Sequence, residues 1–182
     1  MSSLKISIVN VVATAALDCN VDLESLKKLF PNEVVHDPEI YGGRTAYFKS
    51  NNMQGKVSIF SSGKMISVGT RSAEKAQCEL ALVASYLEDA EIAKLKSPAK
   101  IRNIVATADL GFEPELDSIE RVEGAQIIYE PEQFPGAIIS LTLPEKTKAT
   151  ILLFSSGKLV CVGLKDQKDI AIAIHRLQEI IS

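Results

Sequence analysis

Cysteine, histidine and a surplus of basic charge are what this sequence has little of. Its three cysteines, Cys19, Cys78 and Cys161, lie far apart with no Cys-x-x-Cys pair, so neither a disulfide framework nor a zinc site is indicated, and the thiols are expected to be reduced. The two histidines, His36 and His175, stand apart and belong to no Ser/His/Asp or Cys/His arrangement. Without a glycine-rich phosphate loop or paired metal ligands either, an enzyme is not expected, nor a cofactor or a metal. No apolar stretch approaches the ~18 residues of a membrane span, and Met1 to Ile6 lacks the basic start and apolar core of a secretory signal. A soluble, intracellular protein with no membrane partner is the expectation. Lys and Arg number 20 against 23 Asp and Glu, a net charge of -3. Contact with nucleic acid would therefore need a basic rim on an acidic body.

What is present is an ordinary globular balance over 182 residues, with 46% apolar and 24% charged, enough for one domain or two small fused ones. The chain also repeats itself. Ile8-Val9-Asn10-Val11-Val12-Ala13-Thr14 returns 93 positions later as Ile101-Arg102-Asn103-Ile104-Val105-Ala106-Thr107. Asp37-Pro38-Glu39-Ile40-Tyr41-Gly42-Gly43 returns as Glu130-Pro131-Glu132-Gln133-Phe134-Pro135-Gly136, and Phe60-Ser61-Ser62-Gly63-Lys64 as Phe154-Ser155-Ser156-Gly157-Lys158. Two copies of one unit of roughly 90 residues follow, residues 1–95 and 96–182, meeting where Lys94, Lys96, Ser97 and Pro98 interrupt the apolar pattern.

Each copy predicts the same order of elements. A β-branched opening strand leads to a short helix with acidic residues at its start, Asp22–Leu29 in the first copy and Glu115–Arg121 in the second. Short strands follow, two of them joined by a Ser-Ser-Gly turn whose glycine suits a tight hairpin. A long amphipathic helix closes the copy, with Ala76, Leu80, Val83 and Leu87 as its apolar stripe in the first and Ile170, Ala173, Ile174, Leu177 and Ile181 in the second. The fold class is α+β, an antiparallel sheet with helices on one face.

Such a sheet should alternate apolar and polar residues, yet Thr150–Phe154 and Leu159–Val162 are apolar at both parities. If Ile151, Leu153 and Cys161 meet the helices, then Leu152, Phe154, Val160 and Val162 face outward, as Phe60, Ile66 and Val68 do in the first copy. A contiguous apolar surface of this kind marks an interface. Asn10 and Asn103 fall at equivalent places on it, and a covered amide needs a hydrogen-bond partner. Two amides related by a pseudo-twofold imply a ligand that is itself nearly two-fold symmetric. The minor groove of A·T-rich DNA fits, offering adenine N3 and thymine O2 acceptors and no guanine amino group.

The blocks Asn103-Ile104-Val105-Ala106-Thr107, Tyr129–Gly136 and Leu153-Phe154-Ser155-Ser156-Gly157-Lys158 resemble the signatures of TATA-binding proteins, over nearly the whole chain and closest to the archaeal form. The resemblance implies a saddle in which both repeats form one curved antiparallel sheet with helices on the convex face. It implies a transcription initiation factor that binds the minor groove of TATA-box promoter DNA and kinks it with apolar wedges. By the same resemblance Phe134 and Phe154 would be wedges under the second repeat and Phe60 under the first, with Tyr41 at the remaining wedge position. Asn10 and Asn103 would bond the central base pairs, while Val12, Val105, Ile66, Val68, Leu152, Val160 and Val162 pack on sugars and base edges. Lys64, Arg71, Lys158 and Lys165, with Ser62 and Ser156, would hold phosphates. Glu130 and Glu132 would meet transcription factor B, and through it RNA polymerase, in the nucleoid of an archaeal cytoplasm.

This chain departs from the pattern at several places. Tyr41 and Gly42 replace Phe-Pro, Tyr47 and Ser140 stand for arginines, Ser58 for an apolar neighbour of Phe60, and Val68 and Val162 for threonines. The stretch between Tyr41 and Phe60 is long for the family and polar over Ser50–Gly55, so a loose loop is expected there. These departures leave a rival reading open: a divergent paralogue whose apolar face binds a protein, or a second copy as a homodimer off DNA, and regulates transcription without bending DNA.

Overall fold

The computed structural model describes residues 4–119 and 122–181. Strands β1 (Ser7–Leu17), β2 (Val34–His36), β3 (Thr45–Phe48), β4 (Lys56–Phe60) and β5 (Lys64–Thr70) come from the first repeat, with helices α1 (Leu23–Leu29) and α2 (Ala73–Asp89). The second repeat supplies β6 (Leu95–Asp109), β7 (Ala125–Ile128), β8 (Gly136–Thr142), β9 (Lys148–Phe154), β10 (Lys158–Leu164) and helix α3 (Gln167–Ile181). Two compact units result, one of Asn10–Arg102 and one of Asn103 onward with the residues up to Val9. The stretch around Ser97 and Pro98 is the first part of strand β6.

In the first unit the strands lie in the order β2-β3-β4-β5-β1, and in the second β6-β10-β9-β8-β7, all antiparallel where paired. The period of two sorts each strand between a closed and an open face. Val57, Ile59 and Met65 are fully buried on the closed face of the first unit, as are Ile139, Ile151, Leu153 and Cys161 in the second. Helix α2 packs there through Ala76, Leu80, Val83 and Leu87, and α3 through Ile170, Ala173, Ile174 and Leu177, as the helical period predicts. Ile181 is the one member of the expected stripes that stays partly exposed. Burial pushes the Cys161 thiol up to about 11, so it stays protonated and acts as a small core hydrophobe.

The short helices diverge. Asp22 caps α1, its carboxylate accepting from the backbone N–H of Glu24 and Ser25. At the matching place the Glu115 side chain makes no cap hydrogen bond, and only a single 3₁₀ turn, Leu116–Ser118, forms among the described residues. A glutamate side chain is poorly suited to cap its own helix start, which accounts for the loss. Glu120 and Arg121, the end of that expected helix, lie outside the described residues.

The polar loop before β4 is fastened rather than loose. Glu79 on α2 is 2% exposed and accepts from the backbone N–H of Gln54 at 2.6 Å and of Gly55 at 3.2 Å. Lys49 Nζ donates to the carbonyls of Gln54 and Gly55, and Met53 is buried beneath. Glycine is required at 55, because a Cβ there would lie 2.2 Å from the Val68 carbonyl oxygen. Glu79→Ala would orphan two backbone donors and should cost about 2–4 kcal/mol, read from urea denaturation, with new proteolytic cleavage at residues 50–55. A change below about 0.5 kcal/mol would show that the carboxylate does not hold the loop.

Candidate nucleic-acid interface

The open face of each unit is built by strand register. In the second unit Ile128, Ile138, Leu152, Val160 and Thr107 form one cross-strand row, each standing opposite the next in the ladder register. Ile128 is 43% exposed and Ile138, Leu152 and Val160 are half-buried, with no helix over them among the described residues. The corresponding row of the first unit runs Val35, Tyr47, Ser58, Ile66 and Thr14. Val12, Val68, Val105 and Val162 share these open faces, each half-buried. Ile128, Ile138, Thr14 and Thr107 were not singled out from sequence, although the alternation Gly136-Ala-Ile-Ile-Ser already puts Ile138 on the same side as Ser140.

Asn10 and Asn103 are held identically. Gly69 and Gly163 both take φ of +90°, beside register shifts in the β1/β5 and β10/β6 pairings. Such a bulge removes a backbone N–H from the ladder, and a glycine tolerates the conformation. The freed N–H of Gly69 donates to Asn10 Oδ1 at 2.7 Å, and that of Gly163 to Asn103 Oδ1 at 2.8 Å. Because an N–H can only donate, it fixes which amide atom faces it. The amide nitrogen of each asparagine is thereby left to donate at the open face, beside Val12 in one unit and Val105 in the other.

Phe134 and Phe154 meet with ring centroids 5.8 Å apart and planes tilted by 56°. Gly136 lies opposite Phe154 in the ladder, and a Cβ on it would sit 3.1 Å from both rings, so the glycine makes room for the pair. A groove of about 760 Å³ opens beside Phe154, lined among others by Pro135, Ser156, Lys158 and Val160. The first unit has no such pair. Thr45, not glycine, stands opposite Phe60, and Tyr41, at φ of +53° and 73% exposed, makes no ring contact among the described residues. Tyr41 lies four positions before the residue facing the phenylalanine, whereas Phe134 lies two before.

Lys64, Arg71, Lys158 and Lys165 are exposed, and among the described residues none of them joins an ion pair. Ser62 and Ser156 are exposed in the two hairpin turns, and Glu130 and Glu132 in the turn before Phe134. Lys56 was not foreseen. It lies on the open face of β4, its Nζ 4.4 Å from the centroid of the Tyr47 ring, adding a cation to the first unit where the second has Thr150.

Each repeat has a sheet that is helix-covered on one side and apolar and amide-bearing on the other, with exposed lysines and an arginine on its strands and turns. The chain belongs to the family described as transcription factor TFIID, or TATA-binding protein, whose model matches residues 5–90 and 98–182. It is 38% identical over 179 residues to the TATA-box-binding protein of Methanocaldococcus jannaschii, covering 97% of this chain and 93% of that one. It is 33% identical over 181 residues to that of Archaeoglobus fulgidus, covering 98% and 96%. The solved structure of Methanococcus jannaschii TBP matches with a TM-score of 0.77 at 36% identity, covering 97% of this chain and 98% of that one. No helix among the described residues is long and apolar enough to cross a membrane.

Proposed function

We propose that this chain is a transcription initiation factor that binds A·T-rich promoter DNA in the minor groove through the open faces of its two repeats, 1–95 and 96–182, and bends it. The observation that carries this reading is the matched pair of asparagines, each turned by a bulged glycine so that its amide nitrogen donates from an apolar surface. Minor-groove A·T pairs present acceptors only, and guanine's amino group would clash with both the donor and the apolar floor. Membership of the TATA-binding protein family supports the same assignment.

In this reading Val12, Val105, Ile66, Val68, Leu152, Val160 and Val162 lie on sugars and base edges. Lys64, Arg71, Lys158, Lys165, Ser62 and Ser156 hold phosphates, and Phe134 and Phe154 wedge a base step. Glu130 and Glu132 offer carboxylates to transcription factor B, which would bring RNA polymerase. Energy transfer between dyes on the two ends of a short TATA duplex tests the proposal. The parent protein should raise transfer by bending the duplex. Phe154→Ala should lose that rise and about 10- to 100-fold in affinity, the ~1–3 kcal/mol of one aromatic stacked on a base. Unchanged transfer with the parent protein at low salt, with and without transcription factor B, would remove the DNA assignment in favour of a protein-binding or self-associating regulator.

A further inference from the structure

The two repeats differ where a wedge has to be built. In the second, Gly136 faces Phe154 and leaves space for Phe134, so two rings stand together at 5.8 Å. In the first, the residue facing Phe60 is Thr45, a buried residue that carries a side chain where the second repeat has a glycine. Two positions before Thr45 stands Gly43, which has no ring to offer, while Tyr41, four positions before, is 73% exposed in a run of left-handed backbone from Tyr41 to Gly43 and makes no ring contact among the described residues. The row behind is polar as well: Ser58 replaces the place held by Leu152, and Lys56 sits over Tyr47.

We propose that base-step opening is confined to the second repeat. Phe134 and Phe154 form the single wedge, while the first repeat lies on an unopened groove, held by Ile66 and Phe60 and by the charge of Lys56. This rests on the minor-groove reading above and adds direction to it. Pyrimidine–purine steps such as TA open easily, whereas A-tracts are stiff. A protein with one wedge needs a flexible step at one end of its element only, so the chain distinguishes the two ends of an A·T-rich site without help from a partner.

Three duplexes test this with the unaltered protein: eight A·T pairs with a TA step at both ends, at one end, or at neither. A 2-aminopurine at each end step reports unstacking, and end-to-end energy transfer reports the bend. Affinity for the one-step and two-step duplexes should agree within about twofold, the statistical factor for two orientations, and their bends should be equal. Affinity for the duplex with no TA step should fall about tenfold or more. In the one-step duplex, 2-aminopurine fluorescence should rise at the TA end alone, and Phe154→Ala should abolish the rise. A one-step duplex with half the bend of the two-step duplex, or fluorescence rising at both ends of the one-step duplex, would overturn the single wedge while leaving minor-groove binding intact. Failure of the parent protein to bind any of the three would overturn the minor-groove reading itself, and the single wedge with it.

Discussion

Replacing Asn10 and Asn103 together by aspartate should lower affinity for an A·T-rich duplex by about a hundredfold or more, while the fold survives. The substitution is isosteric. One carboxylate oxygen can still accept from Gly69 or Gly163, as Oδ1 does now at 2.7 and 2.8 Å. In the minor-groove reading, however, the outward amide nitrogen becomes an anionic oxygen facing adenine N3 and thymine O2. Each lost donor–acceptor match is worth about 1–3 kcal/mol of recognition, and the new charge sits on a polyanion. Fluorescence anisotropy at fixed salt reads the affinity, and urea denaturation should find stability within about 0.5 kcal/mol of the parent. Equal affinity in the double variant would show that the amides face no acceptor on the DNA. Each single variant should fall between, because the bulged glycines hold both amides alike.

Gly157→Ala and Gly63→Ala should each destabilise the chain by roughly 3 kcal/mol or more, a large part of the ~5–15 kcal/mol that holds a folded domain. Two costs coincide at these sites. Both glycines take left-handed backbone, φ +80° at Gly157 and +83° at Gly63. A Cβ would lie 2.1 Å from the Phe112 carbonyl oxygen in one case and 2.3 Å from the Cys19 carbonyl oxygen in the other. Neither obstacle is the end of a flexible side chain, so the backbone itself must shift. Gly111 provides the comparison: φ is +78° but no atom lies within 4 Å of its Cβ position. Gly111→Ala should therefore cost only the left-handed penalty of about 1–2 kcal/mol. Chemical denaturation of the three variants separates the two costs, and equal losses at all three would refute the close approach.

That close approach explains why the glycine of Phe-Ser-Ser-Gly-Lys recurs in both copies. Only glycine closes a hairpin whose turn packs against a neighbouring backbone carbonyl. Parity was legible for the same kind of reason: strands alternate with a fixed period of two, so the faces of Leu152, Val160, Ile66 and Phe60 followed once the hairpins were placed. Register was not legible. Aligning Tyr41-Gly42-Gly43 with Phe134-Pro135-Gly136 makes Tyr41 a wedge, but the ladder sets Thr45 opposite Phe60 and so moves Tyr41 two positions out. Pairing depends on the hydrogen bonds of two strands at once, and no single stretch of sequence records it.

The loop over Ser50–Gly55 was misjudged for a related reason. Its own residues are polar and small, but the carboxylate that fastens it comes from Glu79, on the buried face of α2 and 24 positions from Gly55. Within the helix an acidic residue between Cys78 and Leu80 reads as surface. Only the tertiary structure turns it inward to two waiting N–H groups. The asparagines show the opposite case, in which duplication itself was the signal: one amide on a strand is commonplace, whereas two at equivalent places on apolar strands imply a common use.

Base-analogue substitution tests the groove assignment most directly. Exchanging every A·T pair of the element for inosine·cytosine rewrites the major groove but leaves the minor groove without an amino group, while guanine·cytosine supplies that group. Binding through the minor groove predicts that the inosine duplex keeps affinity within about threefold of the A·T duplex and that the guanine duplex loses about 1–3 kcal/mol per pair. An inosine duplex bound as weakly as the guanine duplex would mean that the open faces of this chain do not lie in the minor groove.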